Sequence, residues 1–340
     1  MSAVSAPSPA APPAAPRHSP RRSGLNARHG VWSIWLIGPT ILLLAVVIGY
    51  PVVSAIIQSF QNDPGLDKAT GMFVQGGFAG FTNYLHWILQ TCNSAGGQVP
   101  CPDGSLGASF WTSVGNTFFF GVVTVVIETV LGVWMAIIMN RAFKGRALVR
   151  AAVLVPWAIP TAVTAKLWFF ILAASGILNS LIGTQILWTS DEWPARFAII
   201  IADVWKTTPF MALLILAGLQ LIPDEVYEAA RVDGATTVQT FFRITLPLVK
   251  PALMVAILFR LLDALRMYDL PAILTNGGPG DATSTLSILV VNQIRQGFNA
   301  ASALSTITFI IIFLVAFVFV RFLGANVVRT QAAQQKGELQ

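Results

Sequence analysis

Residues 223–251 read PDEVYEAARVDGATTVQTFFRITLPLVKP and form a polar stretch between two long apolar runs. A proline followed by an acid is typical of the first turn of a helix, where an acid complements the helix dipole. Gly234 can adopt the left-handed conformation that ends a helix, and Thr236 or Thr237 can cap a second helix that stops at Pro247. The stretch therefore predicts two short helices joined by a tight turn.

The first of these helices is predicted to be amphipathic. Val226, Ala229 and Ala230 share an apolar strip, and charged residues surround it. One interpretation is an element that lies flat on the inner membrane surface. The other is a docking site for a cytoplasmic partner, in which Phe241 and Phe242 hold the loop to the protein body and Glu228 faces outward. The residues alone leave both interpretations open.

The composition indicates an integral membrane protein. Of 340 residues, 55% are hydrophobic and only 11% are charged, whereas a soluble domain has about 25% charged residues. The net charge of +6 does not indicate nucleic-acid binding, because the basic residues lie beside apolar runs and do not form one basic face.

Six apolar stretches are long enough to cross a membrane as helices, which takes about 20 residues each. They are residues 31–57, 111–139, 151–175, 197–220, 251–270 and 304–323. The sequence therefore predicts an all-α, polytopic transmembrane domain over residues 31–323. Residues 1–30, rich in Ala, Pro, Ser and Arg, are predicted to form a disordered tail, and residues 324–340 form a second tail.

Charge asymmetry predicts which loops are cytoplasmic. Both tails and the connection at residues 141–150 carry basic residues, while acidic residues occur in the loops near 58–110, 176–196 and 271–303. Basic residues are enriched on the cytoplasmic side of membranes. Both termini and the loop 223–247 are therefore predicted to be cytoplasmic.

Two cysteines, Cys92 and Cys101, lie in one predicted outer loop. They form a disulfide if that loop faces an oxidising compartment, and otherwise they are two free thiols. Both readings stay open, and no paired-cysteine metal spacing accompanies them in the sequence.

Ionisable side chains within the predicted spans are candidates for function. Each costs at least about 2.5 kcal/mol at membrane depth unless it is paired or hydrated. They are Glu128, Lys166, Asp203, Lys206, Arg260, Asp263, Arg266 and Asp269. Their formal charges cancel, so they either neutralise one another and fix helix packing or line a pathway.

The last four of these charges recur every three residues along one predicted helix. Their directions rotate by roughly 60° at each step, so the four cannot all face one pore. Asp263 and Arg266 are close enough in sequence to pair. We predict that these two residues reach a central cavity, with Tyr268 or Asp269 at its rim.

Several motifs resemble those of the membrane subunits of bacterial ATP-binding-cassette (ABC) importers. In the loop, EAA at 228–230, Gly234 and I-x-L-P at 244–247 resemble the EAA motif of that family, and DGA at 233–235 is similar to the carbohydrate-importer branch of the family. Four further motifs are similar to its carbohydrate-importer branch: GILN at 176–179, WKTTPF at 205–210, LAGLQ at 216–220 and LTNGGPG at 274–280. The resemblance covers roughly residues 110–323.

The resemblance implies the six-helix fold of type I ABC importer permeases, similar to MetI and the maltose permease, in a bacterial cytoplasmic membrane. It implies a second homologous permease, two nucleotide-binding ATPase subunits, and an extracytoplasmic solute-binding protein that delivers a sugar such as trehalose or a maltose-like sugar. ATP and Mg²⁺ would bind the ATPase subunits, since the sequence has no G-x-x-x-x-G-K-S/T phosphate loop. The chain itself would be a non-catalytic subunit in membrane lipid, with no cofactor or metal of its own.

The same resemblance suggests three groups of site residues. For ATPase coupling they are Glu228, Ala229, Ala230, Asp233, Gly234, Phe241 and Pro247. Of these, Glu228 would pair with an arginine of the ATPase subunit and Gly234 would form the turn. For the substrate pathway, where polar groups and aromatic faces suit a neutral sugar, they are Trp168, Trp205, Asp263, Arg266, Tyr268 and Asp269. For the two tryptophans the alternative is packing against lipid or the protein core, because aromatic residues are abundant in membrane helices. For contact with the binding protein they are Asn276, Gly277, Gly278 and Pro279, in an outer loop with the turn chemistry of a tight, exposed connection.

Two other classes of protein compete with this interpretation. A stand-alone secondary transporter or channel would use the intramembrane charges to carry protons or ions and would need no ATPase. A membrane-embedded enzyme has little support, because His18, His29 and His86 lie outside the predicted spans and the sequence offers no nucleophile with an associated base.

Overall fold

The computed structural model describes residue 35 and residues 37–66, 71–94 and 97–321. The two predicted tails, residues 1–30 and 324–340, lie outside these residues. The start of the first predicted span and the end of the last predicted span lie outside them as well. The chain divides into two compact units, Met1–Ser54 and Ala55–Gln340. From residue 37 onward, the described residues of the first unit are helical and belong to helix α1, Ile37–Ser59.

The connection after α1 contains two small β-hairpins and a short helix. Its elements are β1 (Gly65–Leu66), β2 (Phe73–Val74), α2 (Thr82–Ile88), β3 (Thr91–Ser94) and β4 (Gly97–Pro100), with β1 antiparallel to β2 and β3 antiparallel to β4. A disulfide joins Cys92 and Cys101 across the second hairpin. Of the two readings of these cysteines, the disulfide is the one that the structure shows.

Helices form the secondary structure of the rest of the described chain. They are α3 (Phe110–Asn140), α4 (Arg146–Ala158), α5 (Thr161–Ile171), α6 (Ile177–Ile182), α7 (Glu192–Leu219), α8 (Asp224–Val232), α9 (Thr237–Ala264), α10 (Asp269–Leu274), α11 (Leu286–Ile294) and α12 (Phe298–Phe319). Among the described helices, α1, α3, α7, α9 and α12 are long and apolar enough to cross a membrane, and the bent pair α4 and α5 supplies a sixth crossing if it counts as one span. The predicted all-α membrane fold is confirmed.

The prediction of one continuous helix over residues 151–175 is wrong. Helix α4 ends at Ala158, α5 begins at Thr161, and the two helices are bent by 90° relative to each other. Pro160 explains the break, because it has no N–H for the helical hydrogen bond and its ring disfavours a helical Ile159, whose ψ is 132°. The span therefore consists of two helices that meet at a right angle.

The predicted helix stop at Pro247 is also wrong, because α9 runs from Thr237 to Ala264. A π-helical stretch at Phe241–Thr245 precedes the proline. Pro247 thus lies at the start of the following α-helical segment, where its missing N–H is tolerated. The predicted second short helix of the loop is therefore the first turn of the membrane-crossing helix α9. Helix α9 ends at Ala264, before the predicted limit at residue 270.

Helix α12 begins at Phe298, before the predicted start at residue 304. The Asp63 carboxylate accepts hydrogen bonds from the backbone N–H groups of Asn299 (2.7 Å) and Ala300 (3.0 Å). The first N–H groups of a helix have no partner within it, so this carboxylate caps α12. The buried indole of Trp87 donates to the Ala300 carbonyl oxygen at 3.2 Å. The connection after α1 therefore fixes where α12 begins.

Helix α7 begins before the predicted residue 197 and packs against α3, α4 and α9. Glycines permit its closest approaches. A side chain at Gly218 of α7 would lie against the Ala252 side chain of α9, and one at Gly132 of α3 would lie 3.0 Å from Cβ of Met211 on α7. Because protein interiors are close-packed, the missing side chains allow α3 and α9 to approach α7 directly.

We predict that Gly218→Ala lowers the free energy of unfolding by about 1–3 kcal/mol, because the added methyl group overpacks the contact with Ala252. Gly115→Ala is the matched control, since Gly115 is exposed on α3 and nothing lies within 4 Å of an added Cβ. That substitution is expected to stabilise the helix by about 0.5–1 kcal/mol. The midpoint of thermal unfolding in detergent measures both effects, and an unchanged midpoint for Gly218→Ala would contradict the packing.

Candidate functional site

Helix α8 is amphipathic, and the structure shows which of its residues are free. Val226 and Tyr227 pack against a core formed by α3, α7 and α9, and Ala230 is buried. Glu228 and Ala229 are exposed, and the Val232 side chain is 88% exposed. The free surface of α8 therefore presents an acid together with small and apolar side chains.

The turn between α8 and α9 depends on Gly234, whose φ is +74°. Its N–H donates to the Arg231 carbonyl oxygen at 3.1 Å, and the N–H of Ala235 donates to the Ala230 carbonyl oxygen at 2.9 Å. These bonds satisfy carbonyl groups that the end of a helix leaves free. Asp233, the residue before the turn, is exposed. The left-handed glycine of the sequence prediction is thus present in the structure.

Thr236 caps α9, so it is the capping residue of the two threonines that the sequence offers. Its Oγ1 accepts a hydrogen bond from the backbone N–H of Gln239 at 3.3 Å. The Gln239 Oε1 in turn accepts a hydrogen bond from the backbone N–H of Thr236 at 2.9 Å. This reciprocal capping box fixes the start of α9 directly after the turn.

The prediction that Phe241 and Phe242 together hold the loop to the protein body is wrong for Phe242. Its side chain is 61% exposed, whereas Phe241 is half-buried. Both rings border a groove of about 860 Å³ beside the end of α3. The π-helical stretch that starts at Phe241 changes side-chain directions relative to an α-helix. Contact with the core comes instead from α8, and Pro247 is exposed.

Arg260 connects three helices inside the bundle and is only 2% exposed. Its Nε donates to Glu128 Oε2 on α3 at 2.5 Å, and its Nη2 donates to Glu128 Oε1 at 3.0 Å, which makes a bidentate pair. Nη2 also donates to the Asp203 carboxylate on α7, and Nη1 donates to Asp263 Oδ2 at 3.2 Å. Thr207 Oγ1 donates to Glu128 Oε1 at 2.6 Å. We call these five residues the Arg260 cluster.

The cluster shows that intramembrane charges pair with one another, which agrees with one of the two interpretations, although one guanidinium faces three carboxylates and the cluster is therefore not neutral by itself. The pair of Asp263 with Arg266 that the spacing allows does not form among the described residues. Asp263 bonds to Arg260, while Arg266 Nε donates to the Leu262 carbonyl oxygen of its own helix at 3.2 Å. A buried cation attracts a carboxylate more strongly than an exposed one, because the surrounding dielectric constant is lower.

A cavity of about 160 Å³ lies beside the Arg260 cluster. The structure brings four of the predicted pathway residues together here, since the lining includes Asp263, Arg266, Tyr268 and Asp269. Lys206 of α7 lines the cavity as well. The sequence identifies Lys206 only as one of eight intramembrane charges, and its position relative to α9 depends on tertiary packing. The cavity is therefore a polar site enclosed by charges of both signs.

The two aromatic residues predicted for the pathway do not line this cavity. Trp168 packs against the apolar core, and its ring meets that of Trp205 at a centroid distance of 5.9 Å. The buried Trp168 Nε1 has no hydrogen-bond partner among the residues that the structure describes. In this conformation the two tryptophans pack against each other, away from the polar residues of the cavity.

The loop after α10 is mostly buried or half-buried, so the prediction of a tight, exposed connection is wrong for most of it. Asn116 Nδ2 of α3 donates to the carbonyl oxygens of Asp281 (2.7 Å) and Ser284 (3.0 Å). These bonds hold the loop against α3, which a reading of the turn residues alone could not reveal. Of the four predicted contact residues, Asn276 is exposed and Gly277 is buried. Gly278 and Pro279 are half-buried.

A comparison with protein families identifies this arrangement. Residues 128–330 match the family described as "Binding-protein-dependent transport system inner membrane component". The chain belongs to this family. The matched part of this inner membrane component contains the α8 loop, the complete Arg260 cluster and the loop after α10.

Relatives extend the match to most of the chain. The trehalose/maltose transport system permease protein MalF of Thermococcus litoralis is 38% identical over 305 residues, which cover 88% of this chain and 96% of MalF. The trehalose transport system permease protein SugA of Mycobacterium tuberculosis is 35% identical over 89% of this chain and 92% of SugA. The inner membrane component is thus similar to these permeases over nearly their whole lengths.

A solved structure shows the same fold. A chain of a bacterial alginate ABC transporter, crystallised in complex with an alginate pentasaccharide-bound periplasmic protein, has a TM-score of 0.69 at 19% sequence identity. The similarity covers 86% of this chain and 94% of that chain. The inner membrane component therefore has the fold of an ABC transporter permease, as the sequence motifs predict.

We predict that Arg260→Met lowers the free energy of unfolding by about 3–5 kcal/mol, because it leaves the buried carboxylates of Glu128 and Asp203 without their cation. Arg266→Met is the matched control, since Arg266 is exposed and a surface substitution changes stability by about 0.5 kcal/mol or less. Thermal unfolding in detergent measures both.

The triple variant Glu128→Gln/Asp203→Asn/Arg260→Met tests the origin of that loss. It removes the cation and both buried anions together, so we expect it to recover much of the stability that Arg260→Met loses. An unfolding midpoint no higher than that of Arg260→Met would contradict the electrostatic explanation.

Proposed function

We propose that this chain is the permease subunit of an ATP-driven sugar importer in a bacterial cytoplasmic membrane. It forms half of the pathway for a di- or oligosaccharide such as trehalose or a maltose-like sugar, and a second homologous permease forms the other half. Two ATPase subunits, which bind ATP and Mg²⁺, and an extracytoplasmic binding protein complete the importer. The similarity to MalF and SugA over most of their lengths supports the sugar class.

The observation on which this proposal depends most is the geometry of α8. Val226 and Tyr227 fix one side of α8 to the protein core, and the free surface presents Glu228 beside Ala229 and Val232. Such a surface suits a groove on a partner protein that offers a basic residue to the acid. A helix lying on the membrane surface would instead turn its apolar face to lipid. We therefore infer that α8 docks on a cytoplasmic ATPase subunit.

The packing of α8 also suggests how the ATPase drives transport. Because α8 contacts the core of α3, α7 and α9, movement of a docked ATPase subunit would displace these helices together. The loop 223–247 and both tails, 1–30 and 324–340, lie on the cytoplasmic side in this proposal. ATP hydrolysis takes place on the ATPase subunits, and this chain converts their closure into a change of access.

Charges exposed at membrane depth indicate where the pathway runs. The Asp263 side chain is 66% exposed, and Arg266 and Asp269 are exposed as well. In contact with lipid each would cost at least about 2.5 kcal/mol. We infer that this face borders a water-filled pathway, with the second permease on the opposite side.

The loop after α10 is the proposed contact for the binding protein. Asn276 and Gly280 are its exposed residues within the LTNGGPG motif, whereas Gly277 is buried. Contact would therefore involve the tip formed by Asn276 and Gly280, with Gly278 and Pro279 beside it. The buried part of the loop would connect this tip to α3 through Asn116.

We predict that sugar uptake collapses in Glu228→Ala, which removes the docking charge. It should also collapse in Gly234→Val, since a β-branched residue strongly disfavours φ +74°. ATP-dependent trehalose uptake and the ATPase activity of the purified importer, both normalised to inserted permease, measure the effect.

Two variants serve as controls for that experiment. Glu225→Ala removes another exposed acid of α8, and Gly234→Asn introduces a residue that adopts the left-handed conformation more readily than valine. Both should retain most of the uptake. Normal uptake and ATPase coupling in Glu228→Ala and Gly234→Val would contradict the docking proposal.

A further inference from the structure

Lys206 has unused hydrogen-bonding capacity inside the cavity beside the Arg260 cluster. Its side chain lies on α7 and is only 9% exposed. Its Nζ donates to the Ile159 carbonyl oxygen at 2.5 Å, at the break between α4 and α5. An ammonium group has three N–H donors. Two of them have no partner among the residues that the structure describes, although a buried charge without partners is costly.

Arg260 differs from Lys206 in this respect. Its guanidinium donates to the carboxylates of Glu128, Asp203 and Asp263, so little of its capacity is left. Lys206 has no carboxylate within 4 Å in the described part of the chain. Among the described residues, Lys206 and Arg266 are therefore the cavity-lining cations that can form new hydrogen bonds without giving up an ion pair, and Lys206 is the buried one of the two, whereas Arg266 is exposed.

An acceptor lies in the same cavity. Asp263 bonds to Arg260 through Oδ2 only, so its Oδ1 has no partner among the described residues. A sugar hydroxyl both donates and accepts hydrogen bonds. Two neighbouring hydroxyl groups could therefore accept from the Lys206 ammonium and donate to the Asp263 carboxylate. The volume of about 160 Å³ is several times what one water molecule needs, so the cavity has room for the hydroxyl groups of one sugar ring.

We propose that Lys206 is a substrate-binding residue, which donates hydrogen bonds to the hydroxyl oxygens of one ring of a neutral sugar in this cavity. The assignment builds on the proposed function and adds a residue and a position to it. A neutral ligand is favoured over a charged one, because the lining holds three aspartates and three cations whose formal charges cancel: Asp203, Asp263 and Asp269 with Lys206, Arg260 and Arg266. Asp263 accepts from the same ring and is the second contact.

Lys206→Met in the complete importer, with its partner permease, ATPase subunits and binding protein, tests the assignment. Uptake of trehalose and its monodeoxy analogues is compared in proteoliposomes, per inserted transporter. Removing the hydroxyl group that Lys206 binds should slow uptake by the wild type about tenfold or more, since a hydrogen bond to a charged group is worth about 1.5–3 kcal/mol. The variant should transport trehalose more slowly and should no longer distinguish it from that analogue. The wild type and the variant are assayed with the same binding protein, so the selectivity of that protein contributes equally to both and cancels when the two are compared.

Lys166→Met is the matched control. Lys166 is the other lysine in the predicted spans, is exposed on α5, and does not line the cavity. This variant should distinguish the analogues as the wild type does. Lys206→Gln, which keeps a donor for the Ile159 carbonyl, replaces Lys206→Met if the latter does not insert.

Three outcomes would overturn the assignment. If Lys206→Met slows uptake of every analogue by the same factor, Lys206 acts only by holding the break between α4 and α5. If an anionic sugar is transported faster than trehalose by the wild type and not by the variant, the ligand class is wrong. If the wild-type importer takes up no sugar with ATP present while Glu228→Ala behaves identically, the proposed function fails and the assignment fails with it.

Discussion

A guanidinium group in a low-dielectric interior needs carboxylates within hydrogen-bonding distance, and Arg260 obtains them from three helices. Glu128 comes from α3, Asp203 from α7 and Asp263 from α9 itself. Removing Arg260 would leave the buried carboxylates of Glu128 and Asp203 uncompensated, so the arrangement of the three helices depends on this one guanidinium. Helix α8 packs on the same three helices, and the polar cavity lies beside the cluster. The proposed coupling site and the proposed pathway are thus joined by one rigid group of helices.

The ionisable residues of the bundle divide into two groups with different roles. Glu128, Asp203 and Arg260 are buried and bonded to one another, which suits a structural role. Asp263 and Arg266 are exposed at membrane depth, which suits contact with water, a sugar or a second permease. The second group explains why a chain with so few charges retains them where lipid would make them costly.

Local chemistry explains which features could be predicted from the sequence. The turn at Gly234, the threonine cap and the membrane class follow from nearby residues, and the structure has all three. The Arg260 cluster could not be predicted, because Glu128 and Asp203 lie 132 and 57 residues away from Arg260 in sequence. The effect of a proline on a helix depends on the backbone conformation around it. Pro160 breaks a predicted helix, whereas Pro247 lies within one, because a π-helical stretch precedes it. The burial of the loop after α10 likewise depends on a distant side chain, that of Asn116.

Radiolabelled trehalose uptake into proteoliposomes tests ATP-driven import most directly. This chain is reconstituted with its partner permease and ATPase subunits, and the binding protein and ATP are supplied or withheld in turn. A parallel set contains this chain alone under a proton or sodium gradient. We expect uptake only when the partner subunits, the binding protein and ATP are all present. Gradient-driven uptake by this chain alone, unaffected by ATP, would contradict the assignment and would favour a stand-alone secondary transporter.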